Sequence, residues 1–552
     1  MRIDPVDGTS SPPGADLPSP PGPSLRPPPP PPTRRQEWII GLVVVPLSFL
    51  TSCWEHVATS LSRWRRSQAA GAAITRREHG ERVARVQRQV TEWASMPAGS
   101  RPPLRTDRTA SESLSVRVPD KTGAKRVRLG DFRHILDLDL KKGTVTVEPF
   151  VTVGEVTSFL LRHGLMLEAT LEMEDATLGG LALSQGMTTH SHRCGLVSDT
   201  VTDYELVTGD GKIVVASETQ NTDVFRAIPF SHGSLGFLTS LSLRVVPAQK
   251  ELLVSYRKFG SVKELQEALV ASVETTDAFF LEGVIHSTSH TVLIRGDLVS
   301  GDELEKLKRE GVPTNKQGQW WKEWFFVHTS KVEDGHRELM PMHDYLMRHD
   351  KSLCMTMKYV FPAGNHPLLR YTLGWMLPPR VQFLKSLRPP DVRMETAQSQ
   401  VYQDLAVPHE SFCELVDLAK TEFDIFPLMV YPCKIVDRGG FIRIPSDLRH
   451  GDPASHLYLN MGLYGVPRGV RKQTLGYSTI GSVRRVLDLV RSRGGFQHSY
   501  CDVFQTPEEF EEMFDHALAN EVRKRVGSEA LPGVYGKVRP EVDWEKEVVE
   551  AA

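Results

Sequence analysis

Cysteine is scarce and scattered. The six cysteines stand alone at 53, 194, 354, 413, 433 and 501, with no C-x-x-C pair. That spacing argues against a disulfide scaffold or a multi-cysteine zinc module and favours a reducing compartment. An excess of one charge is missing too: 66 Lys and Arg face 68 Asp and Glu, a formal net charge of -2. No basic imbalance is left to support a nucleic-acid partner. Proline is not enriched outside the N-terminal tail, since 13 of the 38 prolines precede residue 33. No G-x-G-x-x-G follows a strand pattern, and G-x-x-x-x-G-K-[ST] and G-x-S-x-G do not occur. A Rossmann dinucleotide site, a P-loop and a nucleophile elbow therefore have no support. His190, His192 and Cys194 lie close in HSHRC, but without distant partners they make a weak ligand set, and no metal site is expected.

What is present reads as a globular chain with an unusual N-terminus. The 552 residues, 40% hydrophobic and 24% charged, allow two to four domains. Residues 1–33 are expected to form a disordered, proline-rich tail whose Pro27–Pro32 run favours polyproline II. Residues 38–54, WIIGLVVVPLSFLTSCW, carry no formal charge and end in tryptophans. As a helix they reach about 25 Å against a ~30 Å hydrocarbon core, so one transmembrane helix is expected there. Arginines outnumber those before it at 63, 65, 66, 76 and 77, which favours a cytosolic body. Val83, Val86, Val90 and Trp93 share one face of a connector helix over 75–99. From 100 to 250 short strands and helices mix in an α+β pattern, with Gly209-Asp210-Gly211 as a hairpin turn between two β runs. From 251 to 552 strands and helices continue, with aromatic clusters at 320–326 and at Trp375.

The stretch Thr177-Leu178-Gly179-Gly180-Leu181-Ala182-Leu183-Ser184-Gln185-Gly186-Met187-Thr188-Thr189 stands out. Adjacent glycines let backbone amides approach a ligand, and the hydroxyls extend the wall; such a stretch can hold a pyrophosphate without a lysine. By itself a Gly-Gly pair is more often only a turn.

The blocks around it are more specific. VTVEPFVTVGEVTSFLLRHG (145–164) precedes the stretch; GLVSDTVTDYELVTGDGKIV (195–214) and NTDVFRAIPFSHGSLGFLTSLSLRVVP (221–247) follow. This order resembles the flavin-binding domain of the vanillyl-alcohol-oxidase, or p-cresol-methylhydroxylase, superfamily. Further blocks, including FFLEG (279–283), WFFVH (324–328), FPAGNHPLLRYTLGWMLPP (361–379), YLNMGLYGVP (458–467) and RSRGGFQHSYCDVF (491–504), resemble the delta-24-sterol reductase family within it. The resemblance implies a two-part FAD-binding domain over 100–250 and an α/β substrate, or cap, domain over 251–552. It implies an oxidoreductase of lipid metabolism that uses FAD and NADPH to reduce the delta-24 double bond of desmosterol-like sterols at the endoplasmic reticulum membrane. The loop corresponding to the family's covalent tether, LRTDRTASES (104–113), holds no histidine, so the FAD is expected to be non-covalent.

The resemblance also suggests roles. Cofactor contacts are expected from Arg108, the whole of 177–189, Glu205, Gly233 and Gly236. An isolated alkene has no carbonyl to polarise, so its reduction needs a proton donor, hydride geometry and a dry cavity. Tyr500 is the first candidate donor or donor-positioning group, followed by Glu282 and Asp502, with Asn315 and Tyr464 as weaker polar candidates. Some of Trp320, Trp321, Trp324, Phe325, Phe326 and Trp375 are expected to line a sterol cavity. Two other readings remain open at this point: an oxidase of the same fold acting on sugar lactones or alditols, and a catalytically silent sterol-binding scaffold. A flavin bleached by NADPH separates enzyme from scaffold, and oxygen consumption with a polar sugar marks the oxidase.

Overall fold

The computed structural model describes residues 28–29, 39, 43–51, 53, 72–109, 115, 121–275, 278–378, 391–451, 453–540 and 543–545. Most of the tail expected over 1–33 lies outside these residues, as do 38, 40–42, 52 and 54 of the expected transmembrane segment. Residues 45–50 are helical, with Val45 and Ser48 buried and Phe49 packed edge-on against Trp375 at 4.8 Å. Among the described residues no helix is long and apolar enough to cross a membrane.

A 23-residue helix, Ala72–Ala94, opens the folded body. Its Val83, Val86, Val90 and Trp93 stripe is buried against Leu104, Val127, Phe132, Val207 and Phe237. An ionic clamp reinforces the stripe. Arg82 donates two hydrogen bonds to Glu148 Oε1 at 2.9 and 2.8 Å, and the ring of His79 lies 2.7 Å from Glu148 and 3.1 Å from Glu205. Burial opposes a charged imidazole, but the hydrogen bonds to the two carboxylates outweigh it and raise His79 to about 9.

Strands β1 (Leu104–Thr106) and β2 (Lys125–Val127) pair in parallel. Five more, β3 (Ile135–Asp139), β4 (Thr144–Val147), β6 (Val201–Val207), β7 (Ile213–Ser217) and β8 (Phe237–Pro247), form a sheet in the order β3-β4-β8-β6-β7, and β5 (Leu165–Leu167) pairs with β8 at its side. Gly211, at φ 80°, makes the β6–β7 hairpin turn that Asp210-Gly211 predicts. Between β4 and β5, a capping box of Thr152 and Glu155 starts the helix Val153–Leu161.

The second sheet begins four residues after the first ends. It runs β12 (Arg337–Pro341), β9 (Glu251–Phe259), β11 (His290–Leu298), β10 (Phe280–Ser287), β14 (Leu428–Val436), β15 (Ser455–Gly465), β13 (Val401–Pro408) and β16 (Phe496–Gln497), antiparallel throughout. Helices Val262–Thr275, Phe412–Glu422 and Thr479–Ser492 pack on it. The chain then turns back. Residues 523–531 dock beside the first sheet and on the β1–β2 pair: Ser528 Oγ donates to Leu235 O, Gly209 N donates to Ser528 Oγ, and Leu104 N donates to Ala530 O. The substrate part expected over 251–552 thus gives its last stretch to the other sheet.

Candidate functional site

The stretch 177–189 forms a short helix, Leu178–Leu183, and the loop after it. Only part of it faces outward. Thr177, Gly180, Leu181 and Leu183 keep accessible surface, whereas Leu178, Gly179, Ala182 and residues 184–189 are buried. The two glycines do different work. A Cβ at Gly179 would fall 2.4 Å from the Pro149 side chain and 2.9 Å from Pro149 O, so this glycine admits the strand end before it. A Cβ at Gly180 would meet only Thr177 Oγ1, at 2.9 Å. The hydroxyls expected to face a phosphate turn inward instead. Thr188 Oγ1 donates to Thr170 O at 2.7 Å and to Glu172 at 3.1 Å, and Ser184 Oγ donates to Gly180 O. Gly186 packs on Val197 and Leu181, and a Cβ at Gly236 would strike Val207 O at 2.8 Å, so close packing of the protein itself accounts for both. Gly233, at φ 72°, has no such obstruction.

Tyr500 is carried onto this loop. Gln185 Nε2 donates to Ser499 Oγ at 2.9 Å, Ser499 N donates to Gln185 Oε1 at 2.9 Å, and His498 Nδ1 lies 2.8 Å from Gln185 O. Ser115 Oγ donates to Tyr500 O at 3.1 Å from the other side. The Tyr500 hydroxyl then reaches Asp404 Oδ2 on β13, where Tyr464 Oη also donates, at 2.5 Å. Asn460 Nδ2 donates to the other oxygen at 3.2 Å. Strand register explains the convergence. Asp404 lies opposite Gly462, Tyr402 opposite Tyr464, Ala406 opposite Asn460, and Asn460 opposite Tyr431, so one face of three strands collects these polar groups. Burial and the Asp404 charge push both phenols well above the usual tyrosine range.

Several expectations are corrected. Glu282 is fully buried in a two-pronged ion pair, with Arg348 Nε at 2.9 Å, Arg348 Nη2 at 2.8 Å and His349 Nε2 at 3.1 Å. Burial alone would raise its pKa, but the charges of Arg348 and His349 hold it at about 2, so it cannot donate a proton near neutrality. Asp502 is ion-paired with Arg393, and its carbonyl accepts from Gln403 and Gln497, which makes it a brace for the Tyr500 turn. Glu205 serves the N-terminal clamp: it accepts from Thr239 at 2.7 Å and meets His79. Asn315 donates to Glu338. Trp324, Phe325 and Phe326 are ordinary core, while Trp320 and Trp375 are exposed. Arg108 stacks over the Phe150 ring at 5.2 Å on the flank of the 177–183 helix.

Three polar atoms around Tyr500 have no partner among the described residues: Tyr431 Oη, Asn460 Oδ1 and His498 Nε2, all buried. A bound polar group or water is one way to complete such atoms. A flavin ring, with nitrogens and carbonyls along its rim, has the chemistry to pair with atoms of this kind.

The comparisons agree with that fit. Residues 110–217 match the model described as "FAD binding domain". The Delta(24)-sterol reductase of Mus musculus is 30% identical over 508 residues, 91% of this chain and 93% of that protein. The chain belongs to the Delta(24)-sterol reductase family. The Pisum sativum member of the Delta(24)-sterol reductases is 28% identical over 541 residues, covering 93% of each chain. The Mus musculus L-gulonolactone oxidase is 26% identical over only 167 residues, 30% of this chain. Similarity to the sterol reductases therefore spans both sheets, including β13, β14 and β15.

Sequence reasoning missed Asp404 and Arg348. Asp404 is the one acid in an otherwise apolar-rich strand, VYQDLAVP, and that mismatch was the available signal. Arg348 and Glu282 lie 66 positions apart, and nothing local joins them.

Proposed function

We propose that this protein reduces the delta-24 double bond of desmosterol-like sterols, with NADPH as the reductant and non-covalent FAD between them. Family membership across both sheets, with Tyr500, Asp404 and Tyr464 gathered against the loop of the FAD-binding domain, is the observation that carries this reading. Bound FAD supplies the hydride. The protein's own groups provide the rest. The outward side of residues 177–183 would seat the flavin, the 498–500 turn would bring a phenol towards it, and Asp404 accepts hydrogen bonds from two phenols, Tyr500 and Tyr464, which keep their protons at this buried point. Protonation at carbon 24 leaves positive charge at tertiary carbon 25, where hydride is accepted. Arg348 and His349 keep Glu282 ionised, which rigidifies the same sheet face. The uncharged segment 38–54 and the arginines after it support attachment to the endoplasmic reticulum membrane with the body in the cytosol. The test is anaerobic bleaching of the bound flavin by NADPH, followed by addition of desmosterol. Return of the yellow colour with formation of the saturated side chain supports the reading. Oxygen-dependent turnover of a sugar lactone without sterol turnover would replace it with the oxidase.

A further inference from the structure

Two histidines and a carboxylate converge at the start of β15, apart from every group the reaction scheme uses. β13 ends at Pro408, opposite Tyr458 of β15, and the chain passes into the short turn His409–Ser411. That register brings His409 and Glu410 beside His456, which follows Glu410 by 46 positions. His409 Nε2 lies 3.2 Å from Glu410 Oε1, and His456 Nε2 lies 3.1 Å from Glu410 Oε2. One ligand atom from each of the three residues falls within 4.8 Å of the other two. The two imidazole planes differ by only 16°, and the ring centres are 5.4 Å apart.

These spacings suit ligands of one small cation. With bonds of about 2.0–2.1 Å, neighbouring ligand atoms on a tetrahedral ion stand about 3.3 Å apart, and the centres of two coordinated imidazoles about 5 Å apart. The donor types select the ion. Imidazole nitrogens with one carboxylate suit zinc and its first-row neighbours, whereas calcium and magnesium prefer oxygen alone. Three protein ligands leave a position for water or a further side chain, and the His450 ring lies 6.1 Å from that of His456. Glu274 adds its negative charge near His409. The ligand-bearing backbone is braced. Gln266 Nε2 donates to His409 O at 2.7 Å, Cys413 Sγ donates to Gln266 Oε1 at 2.7 Å, and His456 is paired with Ile435 in the β14–β15 ladder. An entry path exists too: the Glu410 side chain is 49% exposed and that of His456 9%, so an ion meets the carboxylate first and the nitrogens behind it. On binding, the ion takes the place of the hydrogens that bridge imidazole and carboxylate, and those protons move to Nδ1 or to solvent.

We propose that His409, Glu410 and His456 form a binding site for a divalent ion of the zinc class, which ties the end of β13 to the start of β15. The proposal is independent of the flavin reading.

The test uses the full-length protein with its flavin bound, cleared of metal by a chelator. Zinc binding is measured by competition with a chromophoric chelator, and cobalt, whose visible bands lie to the red of the flavin, reports the ligand set. The parent is expected to bind zinc at this site with micromolar affinity or tighter. His409→Gln and Glu410→Gln each remove one ligand and should weaken zinc by at least about 100-fold, beyond the roughly 10- to 100-fold that loss of a supporting partner costs. Flavin content and circular dichroism of both variants should match the parent. Glu410 is exposed, so its variant decides the matter should His409→Gln fail to fold. Zinc should raise the melting temperature of the parent and leave that of Glu410→Gln unchanged. A parent that binds no zinc overturns the proposal. Equal zinc affinity in parent and variants overturns it as well, since the ion then sits elsewhere, for example on the exposed Cys53 thiol. Displacement of the zinc by an equal concentration of magnesium or calcium refutes the assignment to the zinc class.

Discussion

Replacing Tyr500 by Phe removes one oxygen and keeps the ring. In the structure that oxygen donates to Asp404, which retains Tyr464 and Asn460 as donors. The stability cost is that of one hydrogen bond to a charged group, about 1.5–3 kcal/mol. The kinetic cost should be separate and selective. General acid participation is worth about 100-fold or more, roughly 2.7 kcal/mol on the barrier. Sterol-dependent reoxidation of the reduced flavin is therefore expected to slow by at least about 100-fold in anaerobic stopped flow. The bleaching step with NADPH requires no alkene protonation and should change little. Tyr464→Phe and Asp404→Asn extend the test. If the three groups act as one unit, the double variant Tyr500→Phe/Asp404→Asn is about as slow as either single variant rather than the product of the two. A Tyr500→Phe enzyme that reoxidises with sterol at the parent rate refutes the role of the hydroxyl, and equal loss of both half-reactions shows instead that the flavin has shifted.

Gly180→Val projects into the outward side of the Leu178–Leu183 helix, where it must push the Thr177 hydroxyl aside, and should lower FAD affinity by about tenfold or more with a smaller fall in melting temperature than Gly179→Ala, measured by flavin content and circular dichroism. Gly179→Ala presses on Pro149 and should do the reverse, lowering the melting temperature by several degrees before flavin content falls. The N-terminal clamp gives a pH prediction. His79 is raised from 6.5 to about 9, so its stabilisation is complete below 6.5 and is lost as pH rises through 9. Burial opposes ionisation of Glu148, yet His134, His79 and Arg82 lower it from 4.5 to about 2, so its stabilisation holds above 4.5 and is lost as pH falls through 2. Amide hydrogen-exchange protection in the helix Ala72–Ala94, relative to β8, should therefore peak between about pH 4.5 and 6.5. A flat profile from pH 6 to 10 contradicts the clamp.

The legible parts of the sequence were local ones. The Asp210-Gly211 turn, the Val83–Trp93 stripe and the order of blocks around Gly179-Gly180 depend on neighbours in the chain, and periodicity or turn chemistry exposes them. Tyr500 was visible through its block, but its partner was not. Asp404, Asn460 and Tyr464 meet because of strand register, and no spacing rule encodes which strands become neighbours in an eight-stranded sheet. The same limit misled the reading of Glu282 and Asp502, since a carboxylate in a motif looks identical whether it faces substrate or an arginine from a distant segment. Glycines misled in a second way. At Gly179, Gly186 and Gly236 the missing side chain makes room for the protein's own atoms, at Gly180 a Cβ would press on the Thr177 hydroxyl, and only at Gly233 of these five is space left open.

The return of the C-terminal segment to the first sheet bears on how the protein is made. All strands of that sheet have been synthesised by residue 247, yet Leu531 belongs to the same buried cluster as Val83, Val207 and Phe237. A nascent chain held at the ribosome can form the strands but not complete that cluster. That cluster is therefore completed only after Leu531 has been made, and translation past the second sheet precedes its sealing. A truncated product that stops after β16 would expose Val207 and Phe237 where Leu531 belongs, giving quality-control factors an apolar signal that the full-length protein hides.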